Sequence, residues 1–129
     1  MGGLDRSQVL DLFQEEAGEL LETLSEGLLR LEGAGNDPEV VRDLFRAAHT
    51  LKGSAAMMEL TAIATAAHRM EDLLGEVQAG QVAVTRPLVD LLLEGVDRIQ
   101  AALGGDDAGL PDYAERVAGY RDTAGAAAA

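Results

Sequence analysis

The sequence predicts an all-α protein: an up-and-down four-helix bundle with an additional short C-terminal fifth helix. Three observations lead there. Apolar residues recur every three or four positions over four long stretches. Short polar segments carrying glycine separate those stretches. The one segment that alternates like a strand, Gln81-Val82-Ala83-Val84, is too short and isolated for a sheet.

In the first helix Val9, Phe13, Ala17, Leu20, Leu24, Leu28 and Leu31 draw the stripe. Asp5 or Ser7 can cap it, and Gly33-Ala34-Gly35-Asn36-Asp37 ends it. Asp37 then caps a second helix with Pro38 in its first turn and Val41, Leu44, Ala48, Leu51 and Ala55 inside. Thr61 is the expected cap of a third, carrying Ile63, Ala67, Met70, Leu74 and Val77 and closing near Gly80. Thr85 and Pro87 open a fourth with Leu88, Leu92, Val96, Ile99 and Leu103, broken by Gly104-Gly105-Asp106-Asp107. A shorter fifth is expected from Pro111 to about Tyr120, an appendage burying Tyr113 and Val117. One domain is therefore expected over residues 5–121, followed at 122–129 by an Ala-rich tail or the start of a linker. Gly18, Gly27, Gly75 and Gly95 fall inside these helices at about 1 kcal/mol each relative to Ala. Close helix approach and harmless placement both account for them.

Composition narrows the function. Ten Lys plus Arg against 23 Asp plus Glu give 129 residues a net charge of −13. Such acidity opposes nucleic-acid binding and docking on an anionic membrane. With no cysteine there is no disulfide, thiolate zinc site or cysteine nucleophile. No apolar run approaches the roughly 20 residues of a membrane span. The start, Met1-Gly2-Gly3-Leu4-Asp5-Arg6, lacks the apolar segment of a signal peptide. The expectation is a cytoplasmic domain with no membrane insertion.

Few residues can carry chemistry. There are two histidines, His49 and His68, and one lysine, Lys52, three positions after His49 on the same helix flank. Gly53 follows at the fourth position, where a side chain is expected to crowd the imidazole. On the third helix Ala64, His68, Glu71 and Gly75 share one edge. If the second and third helices are antiparallel neighbours, that edge can face His49, and a carboxylate there would fix the tautomer of its ring. An oriented neutral imidazole is a nucleophile, and a neighbouring ammonium favours an incoming phosphoryl group. The bland alternatives are a solvated Glu71 among 23 acids and a satisfied His68 at a helix edge.

The runs Phe45-Arg46-Ala47-Ala48-His49-Thr50-Leu51-Lys52-Gly53-Ser54-Ala55 and Ala67-His68-Arg69-Met70-Glu71-Asp72-Leu73-Leu74 resemble the histidine-containing phosphotransfer (HPt) domains. The resemblance is strongest to the N-terminal phosphotransfer domains of CheA-like chemotaxis kinases. Phe13-Gln14-Glu15-Glu16-Ala17-Gly18-Glu19-Leu20-Leu21 looks like that family's opening, and the likeness runs from about residue 8 to about residue 103. It implies that His49 is the phosphorylated histidine, Lys52 the supporting lysine and Gly53 the glycine leaving room for the phosphoryl group. Glu71 would hydrogen-bond the reactive ring, with His68 the second histidine of the network. Where family members often carry a Gly- and Phe-rich turn, this chain has Met57-Met58-Glu59-Leu60, so packing between the second and third helices is expected to differ.

The resemblance implies a phosphoryl carrier in two-component signalling. His49 would accept the γ-phosphoryl of ATP and donate it to an aspartate of a response regulator receiver domain. The chain has no Gly-x-x-x-x-Gly-Lys, so ATP and Mg²⁺ belong to a separate kinase catalytic domain and no bound cofactor or metal is expected. The chain is then a kinase's phosphoacceptor rather than a complete enzyme. A free-standing relay protein, or one module of a hybrid or pilus-type kinase, is the nearest alternative. A metal or haem bundle is thinly supported by two histidines without Glu-x-x-His pairs. An acidic interaction domain docking a basic partner is the remaining one.

Overall fold

The computed structural model describes the backbone of residues 5–128 and the side chains of residues 5–122. Its helices are α1 (Arg6–Ala34), α2 (Pro38–Met57), α3 (Thr61–Gln78), α4 (Arg86–Leu103) and α5 (Leu110–Ala128). Helices α1 to α4 pack in a closed ring, each against its chain neighbour and α4 back against α1, while α5 lies on α3 and α4. Residues 1–4 and 129, where parts of the expected leaderless start and tail fall, lie outside the described residues.

Local chemistry sets the boundaries. Asp5 and Gln8 cap α1 reciprocally, Gln8 N donating to Asp5 Oδ1 at 2.9 Å and Asp5 N to Gln8 Oε1 at 3.0 Å. Gly35, at φ +74°, stops it with a bond to Leu31 O. Asp37 accepts from Glu39 N and Val40 N, and Pro38 opens α2. Thr85 caps α4 by accepting from Leu88 N. Thr61, by contrast, is the first helical residue of α3 and not its cap. The tight turn at 58–60 places Leu60 in the cap position, and Leu60 packs on the core without a side-chain bond.

The stripes form one core, with one shift. Leu21 rather than Leu20 is buried in α1, because the spacing steps by four after Ala17; Leu20 packs at the edge. Val82 is buried in a loop and forms no strand.

The fifth helix differs most from expectation. It runs to Ala128, continuing past Tyr120 through residues whose alanines favour helix without any apolar stripe. Tyr113 and Val117 are buried as expected, and their burial makes α5 part of the core rather than an appendage to it. Tyr113 is fully buried and its hydroxyl donates to Leu91 O at 2.7 Å. Gly95 makes that possible: a Cβ there would lie 2.7 Å from Tyr113 Cζ and 2.9 Å from Met70 Sδ. Gly27 likewise admits Leu44, whose Cδ2 would be 2.6 Å from an added Cβ, whereas Gly18 faces open space. Among the described residues no helix is long and apolar enough to cross a membrane.

Candidate functional site

The buried stripe of α2 (Val41, Leu44, Ala48, Leu51, Ala55) fixes that helix's rotation and leaves His49 on its rim. The His49 side chain is 61% exposed. Opposite it on α3, Ile63, Ala67, Met70 and Leu74 turn inward and carry Glu71 to the α2–α3 seam. Glu71 is the one buried charged residue among the described residues, 6% exposed. It is not a solvated helix acid.

Both Glu71 oxygens are used. Oε1 accepts from Lys52 Nζ at 2.7 Å, and Oε2 is hydrogen-bonded to His49 Nδ1. Burial alone would raise this carboxyl, but hydrogen bonds from Lys52 and His49, reinforced by charge, outweigh it and hold its pKa below the ordinary value. An ionised carboxylate only accepts, so Nδ1 carries the proton. In the neutral ring Nε2 then holds the lone pair.

Gly53 corrects one detail. A Cβ there would meet nothing within 4 Å, so it would not crowd the imidazole; the space beside the histidine is open. His68 corrects another. It lies on the Glu71 edge, but its Nε2 is 3.6 Å from Asp72 Oδ1 and it makes no hydrogen bond to His49 or Glu71. Its own helix supplies an acid four residues on, which captures it before the seam does. Ligand atoms of His68, Glu71 and Asp72 lie within 4.8 Å of one another, yet Glu71 is already committed to Lys52 and His49. Arg69 is drawn to Asp72 at 3.8 Å.

Sequence reasoning missed Phe45. Its ring lies beside that of His49, with centroids 6.4 Å apart and planes 11° from parallel. The available signal was the four-residue spacing on one helix.

Comparison with known proteins places the sequence and the fold. Residues 8–102 match the Hpt domain family. Chemotaxis protein CheA of Bacillus subtilis (strain 168) is 40% identical over 108 residues, covering 80% of this chain and 16% of that protein. The chain spans between 12% and 19% of the length of the three CheA relatives from B. subtilis, Borreliella burgdorferi and Cereibacter sphaeroides. The CheA phosphotransferase domain from Thermotoga maritima superposes with a TM-score of 0.75 at 33% identity, covering 79% of this chain and 96% of that one. The phosphorylated P1 domain of CheA3 from R. sphaeroides, solved in complex with CheY6, shares the fold with a TM-score of 0.81 at 24% identity, covering 90% and 97%.

Proposed function

The chain belongs to the Hpt domain family, and we propose that it is the phosphoryl carrier of a chemotaxis-type histidine kinase, with His49 as the carrier residue. One observation bears most of the weight: a buried carboxylate bound to one nitrogen of an otherwise exposed imidazole. Burying a carboxylate at that depth costs several kcal/mol, which its hydrogen bonds to His49 and Lys52 must offset, so an apolar residue would serve the fold as well.

In the proposed reaction, Nε2 attacks the γ-phosphorus of ATP held with Mg²⁺ by a separate kinase catalytic domain. The Nε2–P bond forms as the bond from phosphorus to the β,γ-bridging oxygen breaks, and ADP departs. The ring becomes cationic while its Nδ1–H still donates to Glu71, whose negative carboxylate stabilises that charge. Lys52, 28% exposed, can leave Glu71 for the phosphoryl oxygens. Gly53 leaves room for them. Attack by a response-regulator aspartate then breaks the N–P bond and returns the neutral ring. We assign this role to residues 5–121, working in the cytoplasm as one module of a longer kinase. The short share of the CheA relatives that it spans supports this over a free-standing relay.

Incubation with labelled ATP and the matching kinase catalytic domain tests the assignment. Acid-labile, base-stable label should appear, vanish in His49→Gln and persist in His68→Gln. His49→Gln should keep the helical content by circular dichroism, since Lys52 still pairs with Glu71 and the glutamine amide can donate to it. Label surviving in His49→Gln would refute the assignment.

A further inference from the structure

We propose that Phe45, seated on Gly75, is a positioning residue that steadies the His49 imidazole for phosphoryl transfer. The inference rests on the carrier role above and adds a pair of residues to it. Phe45 precedes His49 by four positions on α2, and Gly75 follows Glu71 by four on α3. The antiparallel helices therefore meet in two adjacent rungs, His49 with Glu71 and Phe45 with Gly75. In the first rung a carboxylate holds the ring by its edge. In the second, a phenyl ring packs over Gly75: a Cβ there would already touch it, 3.4 Å from Phe45 Cε2, and atoms beyond Cβ would compete with the ring for space.

One hydrogen bond at Nδ1 leaves an imidazole free to rock about that bond. His49 makes no other hydrogen bond, ion pair or ring contact among the described residues except with Phe45. The near-parallel phenyl, 11° from the imidazole plane, is the remaining restraint. Phe45 itself is half-buried against the core, and beyond it lies an open groove bordered by Asp72, Glu76, Gln81 and Arg121. Gly75 is thus the seat that keeps the phenyl turned toward His49. A larger residue at 75 would push it outward without removing any atom from the site.

Phosphoramidate is the probe, a small donor that needs no docked protein, used on the 129-residue chain. Ring mobility of His49 is read separately from carbon relaxation at its Cδ2–H, with no donor present. Phe45→Leu keeps apolar volume and should slow labelling about five-fold or more, with a lowered ring order parameter. Gly75→Val should go the same way, while Phe45→Tyr should stay within about two-fold of the parent in rate. Circular dichroism checks each fold, and if Gly75→Val does not fold the Phe45 variants decide alone. Parent rates in Phe45→Leu overturn the proposal, as does a defect shared by Phe45→Tyr. A parent chain that takes no label at His49 sinks the carrier role instead; unchanged His49 mobility in Phe45→Leu would then reject the Phe45 inference independently.

Discussion

Glu71 and Glu94 each hydrogen-bond two basic side chains, and they sit in different settings. Glu71 joins His49 to Lys52 at the α2–α3 seam. Glu94 joins Arg98, 2.6 Å away, to Arg116 across the α4–α5 seam. Arg116 foremost, with Arg98 and against the pull of burial, holds the Glu94 carboxyl at a pKa of about 2. Guanidinium groups have no lone pair to offer, so the Glu94 cluster is chemically closed and only fastens α5. An imidazole keeps a second nitrogen, so the same electrostatic arrangement at Glu71 leaves a lone pair on a largely exposed ring, the nucleophile of the proposed carrier. The kind of base decides between a latch and a site.

Exchanging each carboxylate for its amide separates the two. Glu71→Gln should slow labelling of His49 by about 10- to 100-fold, the usual cost of losing a residue that orients a reactive group. Stability should change little, since Lys52 can turn to solvent. Glu94→Gln should leave labelling at the parent rate and cost about 1–2 kcal/mol in urea unfolding, allowing for solvent screening of the partly exposed arginines. Equal labelling in the two variants would erase the distinction.

The sequence carried the first site further than the second, for physical reasons. His49, Lys52 and Gly53 lie within one helical turn, so their grouping needs only the helix period. That Glu71 faces them also needs the α2–α3 register, which the two apolar stripes specify. Its burial is harder to foresee among 23 acids, because composition assigns each of them to solvent by default. His68 shares the periodic edge, and periodicity does not say that Asp72 holds it instead. The Glu94 latch and the Tyr113 plug join residues about twenty positions apart across a helix pair whose second member has little apolar patterning. An appendage was the natural expectation there, and only packing shows otherwise.

The latch can also be opened without touching the site. Gly95→Ala would force its Cβ onto Tyr113 and Met70, and such overpacking should cost about 1–3 kcal/mol by denaturant unfolding. Labelling should survive wherever the bundle does. Acid offers a milder route. A carboxylate whose folded pKa is depressed stabilises fully above its unfolded value of 4.5 and progressively less as pH falls toward about 2. Between those limits α5 amides should lose hydrogen-exchange protection ahead of those in α1 and α2. Simultaneous loss in all helices would show that the Glu94 cluster does not govern α5.

Gly53 gives the smallest effect and the sharpest contrast with Gly95. Both interrupt a helix, and helix propensity alone predicts that alanine at either place stabilises by about 0.5–1 kcal/mol. At Gly95 the collision with Tyr113 reverses that sign. At Gly53 an added Cβ meets nothing within 4 Å, so nothing opposes the gain. Gly53→Ala should therefore unfold at a higher urea concentration than the parent chain. If the open space beside His49 is where the phosphoryl oxygens go, the same methyl group should slow labelling by about two- to five-fold, a cost below 1 kcal/mol of barrier. A gain in stability with a loss in rate would mean that the glycine is kept for the phosphorylated state, since the unphosphorylated one has no need of it. A gain in stability with an unchanged rate would mean that the phosphoryl group sits elsewhere around the ring.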